Sequence, residues 1–397
     1  MLSFDEALAR VLGRARLLGV ERVPLHEADG RVLATPLHAE GPLPAFDHSA
    51  MDGYALACRD LAGPGPWLLS VEGESRTGYH SSPLTAGKAR RIFTGAELPA
   101  GADTVVLQED VERTSDQVEL ADKPEPWANI RRGGEDLRAG DCALQAGTRL
   151  GPQKLALAAA LDRAELAVAL RPRVAVLSTG DELREPGSAP RPGSIPECNA
   201  IAIQALVRAA GGSPQGCPFA RDDEGTTTAS VTAALAGCDL LVTIGGVSAG
   251  DHDVVRSALV AAGAELDFWK VRIKPGKPLV FGRAGAALVL GLPGNPASAQ
   301  ITFMLFGMPL LRALQGDRRP LPLTRRARLA GAVRSSSGRR VFCRARRVEQ
   351  DLLEPLENQA SGAPTSLAWA DALLIVPEDS AGFAEGDVVD ALWLSDF

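Results

Sequence analysis

Three glycine-bearing loops in this sequence combine hydroxyl, carboxylate and amide side chains, and each directly follows a short apolar run. The loops span residues 178–182 (STGDE), 245–253 (GGVSAGDHD) and 292–298 (LPGNPAS). Any one of them alone is equally typical of a tight turn into a helix. Ligands of open α/β sheets bind where the carboxyl ends of the strands meet. Three such loops in one unit therefore predict a shared binding cleft.

The middle loop predicts an oxyanion site that also holds a metal ion. Gly245 and Gly246 allow backbone N–H groups to approach a ligand closely, and the helix that follows offers its positive end. The same loop carries Asp253, which would repel a phosphate unless a cation lay between them. Mg²⁺ is held in this way by carboxylates together with substrate oxygens, so Glu182 and Asp222 are further candidate ligands. The alternative for Asp253 is an acid in the first turn of a helix.

The lysines indicate a second anion site. Only six basic residues are lysine, and three of them, Lys270, Lys274 and Lys277, lie in the segment WKVRIKPGK. Lysine is a compact point charge, whereas arginine is a planar fork. Pro275 and Gly276 predict a turn with Lys274 and Lys277 on either side, placed to hold a tetrahedral oxyanion. A solvated hairpin is the alternative.

The PGNP loop predicts an anion contact at the start of a helix. Asn295 and Pro296 follow the ordinary N-cap and N1 pattern. Ser298 would then lie in the first turn, near backbone N–H groups that have no partner in the helix. At the other end of the chain, Ser3 and Glu6 form a capping-box pattern, which predicts an amphipathic helix.

Composition excludes several classes of protein. The net charge of −7 and the pI of about 5.4 give no electrostatic case for nucleic-acid binding. The arginine cluster at 318–347 has no accompanying nucleic-acid motif and is more typical of a solvated or ligand-facing β surface. The six cysteines form no CxxC pair and indicate reduced thiols in a cytosolic protein. We find no signal-peptide pattern and no stretch apolar for long enough to span a membrane. We therefore predict a cytoplasmic protein with neither membrane nor nucleic-acid partners.

Changes in residue composition and in hydrophobic patterning divide the chain into several parts. A helix and short extended pieces are expected to about residue 44, and a small β domain from about 45 to 139. Residues 154–170 are helical in composition. From residue 171 strands alternate with helices, which predicts a parallel sheet covered by helices on both faces. After a Pro- and Arg-rich linker, residues 317–397 predict a small β domain.

Seven segments together resemble one known family. In chain order they are FDHSAMDGYA, RIFTGAELPAGADTVVLQED, IRRGGEDLRAGD, RPRVAVLSTGDEL, TIGGVSAGDHD, KPGKPLVFG and LGLPGNPAS. The sequence resembles the molybdopterin molybdotransferase family, which includes the bacterial MoeA proteins and the E domain of gephyrin. The C-terminal segments VFCRAR and NQASGAPTSLAWADALLIVPED are similar too. The resemblance covers essentially the whole chain. It departs from the family pattern at residues 195–198, IPEC.

The resemblance implies an elongated multidomain subunit of the α/β plus β class, which forms a homodimer. Its central part would be a three-layer α/β domain with a mostly parallel sheet. The other parts would be an elongated N-terminal domain, a small β domain and a small barrel-like C-terminal β domain. The expected boundaries are 1–44 with 140–170 for the elongated dimerisation domain, 45–139 for the inserted β domain, 171–316 for the α/β domain and 317–397 for the last.

The resemblance also implies a reaction and its participants. Adenylylated molybdopterin would be cleaved with Mg²⁺ as cofactor, molybdate would be inserted at the dithiolene, and AMP would be released. The implied protein partners are an upstream adenylyltransferase and a downstream molybdoenzyme. Two alternatives stay open: the sister molybdopterin adenylyltransferase, which makes the adenylylated pterin, and a non-catalytic cofactor carrier or scaffold.

The resemblance carries roles onto matching residues. The expected catalytic residues are Asp52, Glu182, Asp222, Asp253 and Lys274, with Glu182, Asp222 and Asp253 as the metal ligands. Asp52 and Thr94 are expected to act from the partner subunit. The expected substrate-binding residues are Thr94, Ser178, Asn199, Gly245, Gly246, Ser248, Lys270, Lys277, Pro293, Pro296, Ser298, Arg344 and Ser361. Of these, Lys277, Ser298, Arg344 and Ser361, together with Lys274, match positions associated with molybdate.

Overall fold

The computed structural model describes residues 1–221, 223–246, 254–336 and 338–397. The elements of the first 170 residues are, in chain order, α1 (Phe4–Gly13), β1 (Val20–Pro24), β2 (Leu37–His38), β3 (His48–Ser49), β4 (Gly53–Leu56), β5 (Trp67–Ser75), β6 (Lys88–Ile92), β7 (Thr104–Leu107), β8 (Val111–Thr114), β9 (Gln117–Leu120), β10 (Ile130–Arg131), β11 (Cys142–Leu144), α2 (Pro152–Ala160) and β12 (Glu165–Ala169).

Residues 171–316 form strands β13 (Arg173–Ser178), β14 (Leu183–Arg184), β15 (Ile195–Pro196), β16 (Ser213–Gly216), β17 (Leu240–Ile244), β18 (Ala264–Lys270), β19 (Ile273–Lys274), β20 (Pro278–Ala284) and β21 (Ala287–Leu292). The helices of this part are α3 (Asn199–Ala209), α4 (Glu224–Leu235), α5 (Val254–Ala261), α6 (Pro296–Thr302) and α7 (Met308–Leu314). The last part holds β22 (Thr324–Leu329), β23 (Val333–Arg334), β24 (Arg340–Glu349), β25 (Leu352–Pro355), α8 (Pro364–Ala368), β26 (Ala372–Val376), β27 (Gly382–Phe383) and β28 (Val388–Trp393).

The predicted capping box begins helix α1. The Ser3 side chain accepts a hydrogen bond from the Glu6 backbone N–H at 3.2 Å, and the Glu6 carboxylate accepts one from the Ser3 backbone N–H at 2.8 Å. Two of the N–H groups that a helix start leaves unpaired are thereby satisfied. The buried residues Ala7 and Val11 then pack into the core of the α/β part.

In the N-terminal half, the segment of residues 20–49 pairs antiparallel with the segment of residues 130–169. Strand β1 pairs with β12, β2 with β11, and β3 with β10. Residues 154–170 were expected to be helical throughout, and this expectation is wrong beyond residue 160. Asp162 has a positive φ of 58°, so the chain turns there. The alternating buried residues Leu166 and Val168 then form strand β12, whose ladder with β1 outweighs the helical composition.

Between these paired segments lies a six-stranded sheet of the order β7-β4-β6-β5-β9-β8. One apolar cluster, which includes Tyr54 and Leu56, covers one face, and a smaller one, which includes Ala55 and Ile92, covers the other. This alternation is the period of a strand. Asp52 directly precedes β4, and Thr94 follows the paired neighbour β6, so both lie at the same end of the sheet.

The α/β part is a three-layer domain, as expected. Its sheet has the order β16-β13-β17-β21-β20-β18, in which β16, β13, β17 and β21 are parallel and β20 pairs antiparallel with both β21 and β18. Val174 and Val176 of β13 face one apolar cluster, while Ala175 and Leu177 face the other. Helices α4 and α5 cover the second face, and α3, α6 and α7 cover the first.

The segment Pro296–Leu314 is one helical run of 19 residues in which α6 and α7 are joined by a π-helical turn at Phe303–Gly307. It is long and apolar enough to span a membrane by length and composition, so the expectation that no stretch would be is wrong. Its 18-residue apolar window is 89% buried inside the protein. The apolarity of this run therefore reflects its place in the α/β core.

The C-terminal part contains a closed barrel of five strands, because β24 pairs with both β25 and β26 and the ring β24-β25-β22-β28-β26 is complete. The short strand β19 of the α/β part adds to this sheet in parallel with β24. Phe342 and Leu373 of the barrel also belong to the α/β core. The barrel is thus joined to the α/β domain by backbone pairing and by shared apolar contacts.

Candidate active site

The three predicted loops meet at the carboxyl ends of β13, β17 and β21. Gly245 N–H donates to the Leu292 carbonyl at 3.1 Å, and Thr179 N–H donates to the Ile244 carbonyl at 2.9 Å. Gly245 has a φ of +91°, and a Cβ there would come within 2.8 Å of the Thr179 carbonyl oxygen. Only glycine allows this conformation and this approach. The prediction of one shared cleft is consistent with this geometry.

Ser178 lies at the end of β13 and is buried, as is Glu197. The Ser178 hydroxyl donates to Glu197 Oε1 at 3.1 Å, and the same oxygen accepts the Ala200 N–H at 2.8 Å. Glu197 therefore ties β13 to the first turn of α3. Sequence reasoning did not select Glu197, although it is the one acid within IPEC, where the chain departs from the pattern of the family it resembles.

Asn199 begins α3 and faces the third loop. Its Nδ2 donates to the Gly294 carbonyl at 2.8 Å, and the residue is buried. A Cβ on Gly294 would lie 3.5 Å from the Gly245 Cα. Asn199 thereby holds α3 against the third loop where that loop packs on the second.

The predicted metal ligands are described only in part. Glu182 is exposed, and its carboxyl group folds over Gly180, where a Cβ would collide with it. Asp222 and Asp253, like Ser248, lie outside the described residues. Within the described part of the chain, no group of three His, Cys, Asp or Glu side chains is arranged to hold a metal ion. An exposed carboxylate at the end of β13 is nevertheless the kind of oxygen donor that Mg²⁺ prefers.

The PGNP loop connects the α/β domain to the barrel. Pro293 is buried, and Pro296 occupies the first turn of α6, as predicted. Asn295 is the N-cap residue but makes no side-chain cap; its Nδ2 donates instead to Ser361 Oγ at 3.0 Å. The Ala297 N–H donates to the Ser361 carbonyl at 3.0 Å. Ser298, the third residue of α6, is buried.

Arg344 is the largest fully buried side chain of the described residues, with an exposure of 0%. Its Nη2 donates to the carbonyls of Ala360 and Asn358 at 3.3 and 3.4 Å. Its Nε and Nη1 have no partner among the described residues, and no described carboxylate pairs with it. Burial lowers the pKa of this guanidinium. A buried cation without a counter-ion favours a bound anion.

One residue of the lysine cluster, Lys274, lies near this arginine. Lys274 and Lys277 are exposed on either side of the turn that joins β19 to β20, and Lys270 is half-buried at the end of β18. Burial raises the pKa of the Cys343 thiol to about 11, while the positive charges of Arg344 and Lys274 act in the opposite direction. The positive charges of Lys274 and Arg344 thus both favour the thiolate form of Cys343.

Asp52 and Thr94 are brought together in the small β sheet. The Thr94 N–H and hydroxyl both donate to Asp52 Oδ1, at 2.7 and 2.8 Å. These two hydrogen bonds hold the pKa of Asp52 below its ordinary value. No hydrogen bond or ion pair between described residues joins this pair to the α/β cleft of the same chain. The second carboxylate oxygen of Asp52 remains available.

Three family profiles match successive parts of the chain. Residues 2–161 match the MoeA N-terminal region (domain I and II), residues 175–313 a probable molybdopterin binding domain, and residues 326–394 the MoeA C-terminal region (domain IV). The fold and these matches define a protein built like the MoeA proteins, with a molybdopterin-binding type of α/β domain between two other parts.

Individual relatives agree with these profiles. The chain is 39% identical over 386 residues to molybdopterin molybdenumtransferase 2 of Mycobacterium tuberculosis, with 92% of each chain covered. It is 38% identical over 321 residues to the molybdopterin molybdenumtransferase of Haemophilus influenzae, covering 80% of this chain and 79% of that one. The crystal structure of the MoeA protein of Pyrococcus horikoshii OT3 superimposes with a TM-score of 0.86 at 31% identity, over 99% of this chain and 100% of the other. The chain belongs to the MoeA family.

Proposed function

We propose that this chain is a molybdopterin molybdenumtransferase, a transferase of molybdenum cofactor biosynthesis that uses molybdopterin and molybdate. The observation that carries the proposal is the 39% identity to a relative of that name over 92% of both chains. The meeting of the three loops at one edge of the sheet and the buried Arg344, which has no carboxylate partner among the described residues, support it. Neither the adenylyltransferase nor the scaffold alternative is favoured by these findings.

In this proposal the α/β cleft binds adenylylated molybdopterin. Gly245 and Gly246 have positive φ angles and no side chain, which lets an anionic group approach the loop backbone closely. Ser178 and Asn199 are held in place by their own hydrogen bonds, so they can orient the substrate without reorganisation. Ser248 would belong to the same cleft but lies outside the described residues. The phosphoanhydride of the substrate is already activated, so the protein's contribution is positioning and charge neutralisation.

Mg²⁺ would be held by Glu182 with the predicted ligands Asp222 and Asp253, and when bound it would neutralise charge on the anhydride that is cleaved. The proposed catalytic role of Asp52 is to meet the substrate from the other side with its free oxygen. AMP is the released product.

Molybdate would lie between the lysine turn and the buried arginine. Lys274 and Lys277 concentrate the oxyanion, and Lys270 adds charge at the end of β18. Arg344 offers two guanidinium nitrogens that have no partner among the described residues. Ser298 and Ser361 line the same junction, with Pro293 and Pro296 fixing the backbone that carries Ser298. We infer that a molybdate oxygen attacks the adenylyl phosphorus and the phosphate of molybdopterin leaves as the anhydride bond breaks. When the two dithiolene sulfurs then bind the molybdenum of the resulting adenylyl molybdate, its Mo–O(P) bond breaks, AMP leaves with that oxygen, and a second molybdate oxygen leaves as water with the thiol protons.

We further propose that the enzyme is a cytoplasmic homodimer whose active site is shared. The exposed Asp52–Thr94 pair would complete the cleft of the partner subunit. The elongated segment 1–44 with 140–170 would carry the dimer contact, the β domain 45–139 would reach the neighbouring cleft, and domains 171–316 and 317–397 would form the cleft itself. An adenylyltransferase upstream and a molybdoenzyme downstream would deliver the substrate and accept the product.

A product analysis tests this proposal. We expect purified protein, given adenylylated molybdopterin, molybdate and Mg²⁺, to release AMP and form molybdenum cofactor that activates a cofactor-free molybdoenzyme. An adenylyltransferase would instead release pyrophosphate from ATP and molybdopterin. A scaffold would bind the pterin without forming either product. Either of these two results would contradict the proposal.

A further inference from the structure

A second groove, with a volume of about 870 Å³, lies where three parts of the chain meet. Its walls are the loop 143–149 with the first turn of α2, helix α7, and the linker 317–323. None of the residues proposed for the active site lines it. A volume of this size suits an organic ligand rather than a single small ion.

The linker side of the groove is held firmly against the N-terminal part. Arg318 N–H donates to the Gly147 carbonyl at 3.0 Å, and the Asp317 carboxylate accepts from Arg149 Nε at 3.0 Å. Asp317 N–H also donates to the Arg312 carbonyl at 3.0 Å. The groove therefore exists before any ligand binds.

Positive charge dominates its lining. Five lining residues are basic and two, Asp317 and Asp396, are acidic, an excess of three in a chain whose net charge is −7. Both acids are paired already, Asp317 with Arg149 at 2.9 Å and Asp396 with Arg325 at 2.8 Å. Even if the Phe397 oxygen near Arg312 carries a full negative charge, two positive charges remain in excess. The basic residues are Arg149, Lys154, Arg312, Arg318 and Arg319.

Three of these cations have donors to spare. Arg312 is only 8% exposed, and its Nη2 donates to the Phe397 oxygen at 3.0 Å, while its Nε meets no acceptor among the described residues. Burial, and then the charge of Arg149, lower the pKa of Arg312. Lys154 Nζ makes one hydrogen bond, to the Arg149 carbonyl at 2.6 Å, and an ammonium has three donors. The Arg319 side chain has no partner in the described part of the chain.

Apolar surface lies beside these donors. Leu321 is 46% exposed and Leu323 is 60% exposed, although both belong to a linker that is otherwise fixed. Leu144 lines the opposite wall and is half-buried. A ligand that covered these leucines would remove apolar surface from water.

We propose that this groove is a binding site for a phosphate-bearing organic anion, distinct from the active site. The phosphate contacts Lys154, Arg312 and Arg319, because each of these cations has a free donor for a charge-assisted hydrogen bond to a phosphate oxygen. The organic part of the ligand packs on Leu321 and Leu323. Because the ligand contacts all three walls, its binding stabilises the junction of the α/β domain, the N-terminal part and the linker.

The test uses 1-naphthyl phosphate as the probe and calorimetric titration of the full-length protein. We expect it to bind at least tenfold more tightly than inorganic phosphate and than 1-naphthol, since each of those ligands offers only half of the recognition. The double substitution Lys154→Gln, Arg319→Gln should weaken its binding at least tenfold. The control Arg138→Gln, Arg208→Gln removes two exposed charges that do not line the groove, and it should change the affinity less than twofold.

Two further measurements locate the bound probe. Leu321→Ser, Leu323→Ser should lower the affinity for 1-naphthyl phosphate to that for phosphate, whereas Lys274→Gln, in the proposed active site, should change it less than twofold. Loss of probe binding in Lys274→Gln, equal weakening in the control, or equally tight binding of 1-naphthol would each overturn the proposal. If the Lys154 variant fails to fold, Arg319→Gln alone, in the exposed linker, must still weaken binding.

Discussion

Arg344 and Asp52 are two charged groups of one proposed active site, and they differ in their exposure to solvent. Arg344 is fully buried, and within the part of the chain that the structure describes, two of its guanidinium nitrogens have no hydrogen-bond partner. Asp52 lies on the surface of the small β sheet, with one oxygen bound twice by Thr94. Arg344 lies in a pocket that is formed by its own chain. Thr94 orients the Asp52 carboxylate, but the carboxylate is exposed to solvent. A second protein surface must therefore complete its environment.

In the proposed arrangement, the environment of Arg344 is completed when one chain folds, whereas that of Asp52 is completed only when two subunits assemble. A buried cation without a counter-ion costs stability and is retained where an anion binds. An exposed carboxylate costs little and does little until solvent is excluded around it. The α/β–barrel junction should therefore bind its anion in a single subunit, whereas the Asp52 side should matter only in the dimer.

The largest effect is expected from Arg344→Met. Molybdate-dependent turnover should fall more than a hundredfold, a loss above about 2.7 kcal/mol, because the buried donors disappear. The free energy of unfolding should change by no more than about 1 kcal/mol, since an apolar side chain of similar length replaces an unpaired buried cation. Denaturant unfolding and a cofactor-formation assay measure both. Arg346→Met, on the same strand but exposed, is the control; if both variants lose activity equally, Arg344 has no special role.

Subunit mixing tests the other half of the comparison. Asp52→Ala and Asp253→Ala should each abolish nearly all AMP release as separate proteins. After random exchange of equal amounts, half of the dimers hold one intact site, so about a quarter of wild-type activity should return. Confirmed exchange without any recovery would show that each site is built from one chain.

A smaller change is expected at the lysine turn. Arginine keeps the charge of Lys274 and Lys277 but carries a bulkier planar fork. The double variant Lys274→Arg, Lys277→Arg should weaken the apparent affinity for molybdate about tenfold, or about 1.4 kcal/mol, and leave AMP affinity unchanged. The matched pair Lys88→Arg, Lys123→Arg should change neither. An unaltered molybdate titration in the first variant would show that these lysines are surface charge only.

The smallest effect concerns the charge state of Asp52. The hydrogen bonds from Thr94 lower its pKa, so they favour the charged form; their contribution is present above the ordinary value of 3.8 and is lost as the pH falls through the lowered pKa. Thr94→Val removes the hydroxyl bond but keeps the N–H bond. The pKa of Asp52 should rise part of the way back, seen by NMR titration of the labelled carboxyl, while Thr94→Ser should retain the low value. A pKa that stays low in Thr94→Val would assign the whole shift to the backbone.

Local patterns were sufficient for the elements that carry the cleft. The apolar runs before Thr179, Gly245 and Pro293 are buried parallel strands, and parallel strands bring their carboxyl ends to one edge. The loops could therefore be placed together without knowing any contact. The capping box at Ser3 is equally local, and it was predicted correctly.

Contacts between distant segments could not be read in the same way. Strand β12 was taken as helix because Glu165–Ala169 has helical composition, and only its pairing with β1 makes it a strand. Glu197 is positioned by a hydrogen bond from Ser178, which lies nineteen positions earlier in the chain. The pairing of β19 with β24, which brings Lys274 to the barrel, likewise depends on residues far apart along the chain.

Helix α1 carries a consequence for the order in which this protein folds. Its Asp5 carboxylate accepts two hydrogen bonds from Arg340, both at 2.8 Å, across 335 positions of the chain. At about 5–20 residues per second, a ribosome needs roughly 20–70 seconds to make the residues between them. The small β sheet can complete its own pairing during that time, because its strands are close in sequence. The apolar stripe of α1 must meanwhile remain in water or be held by a chaperone, and its docking is a late event of synthesis.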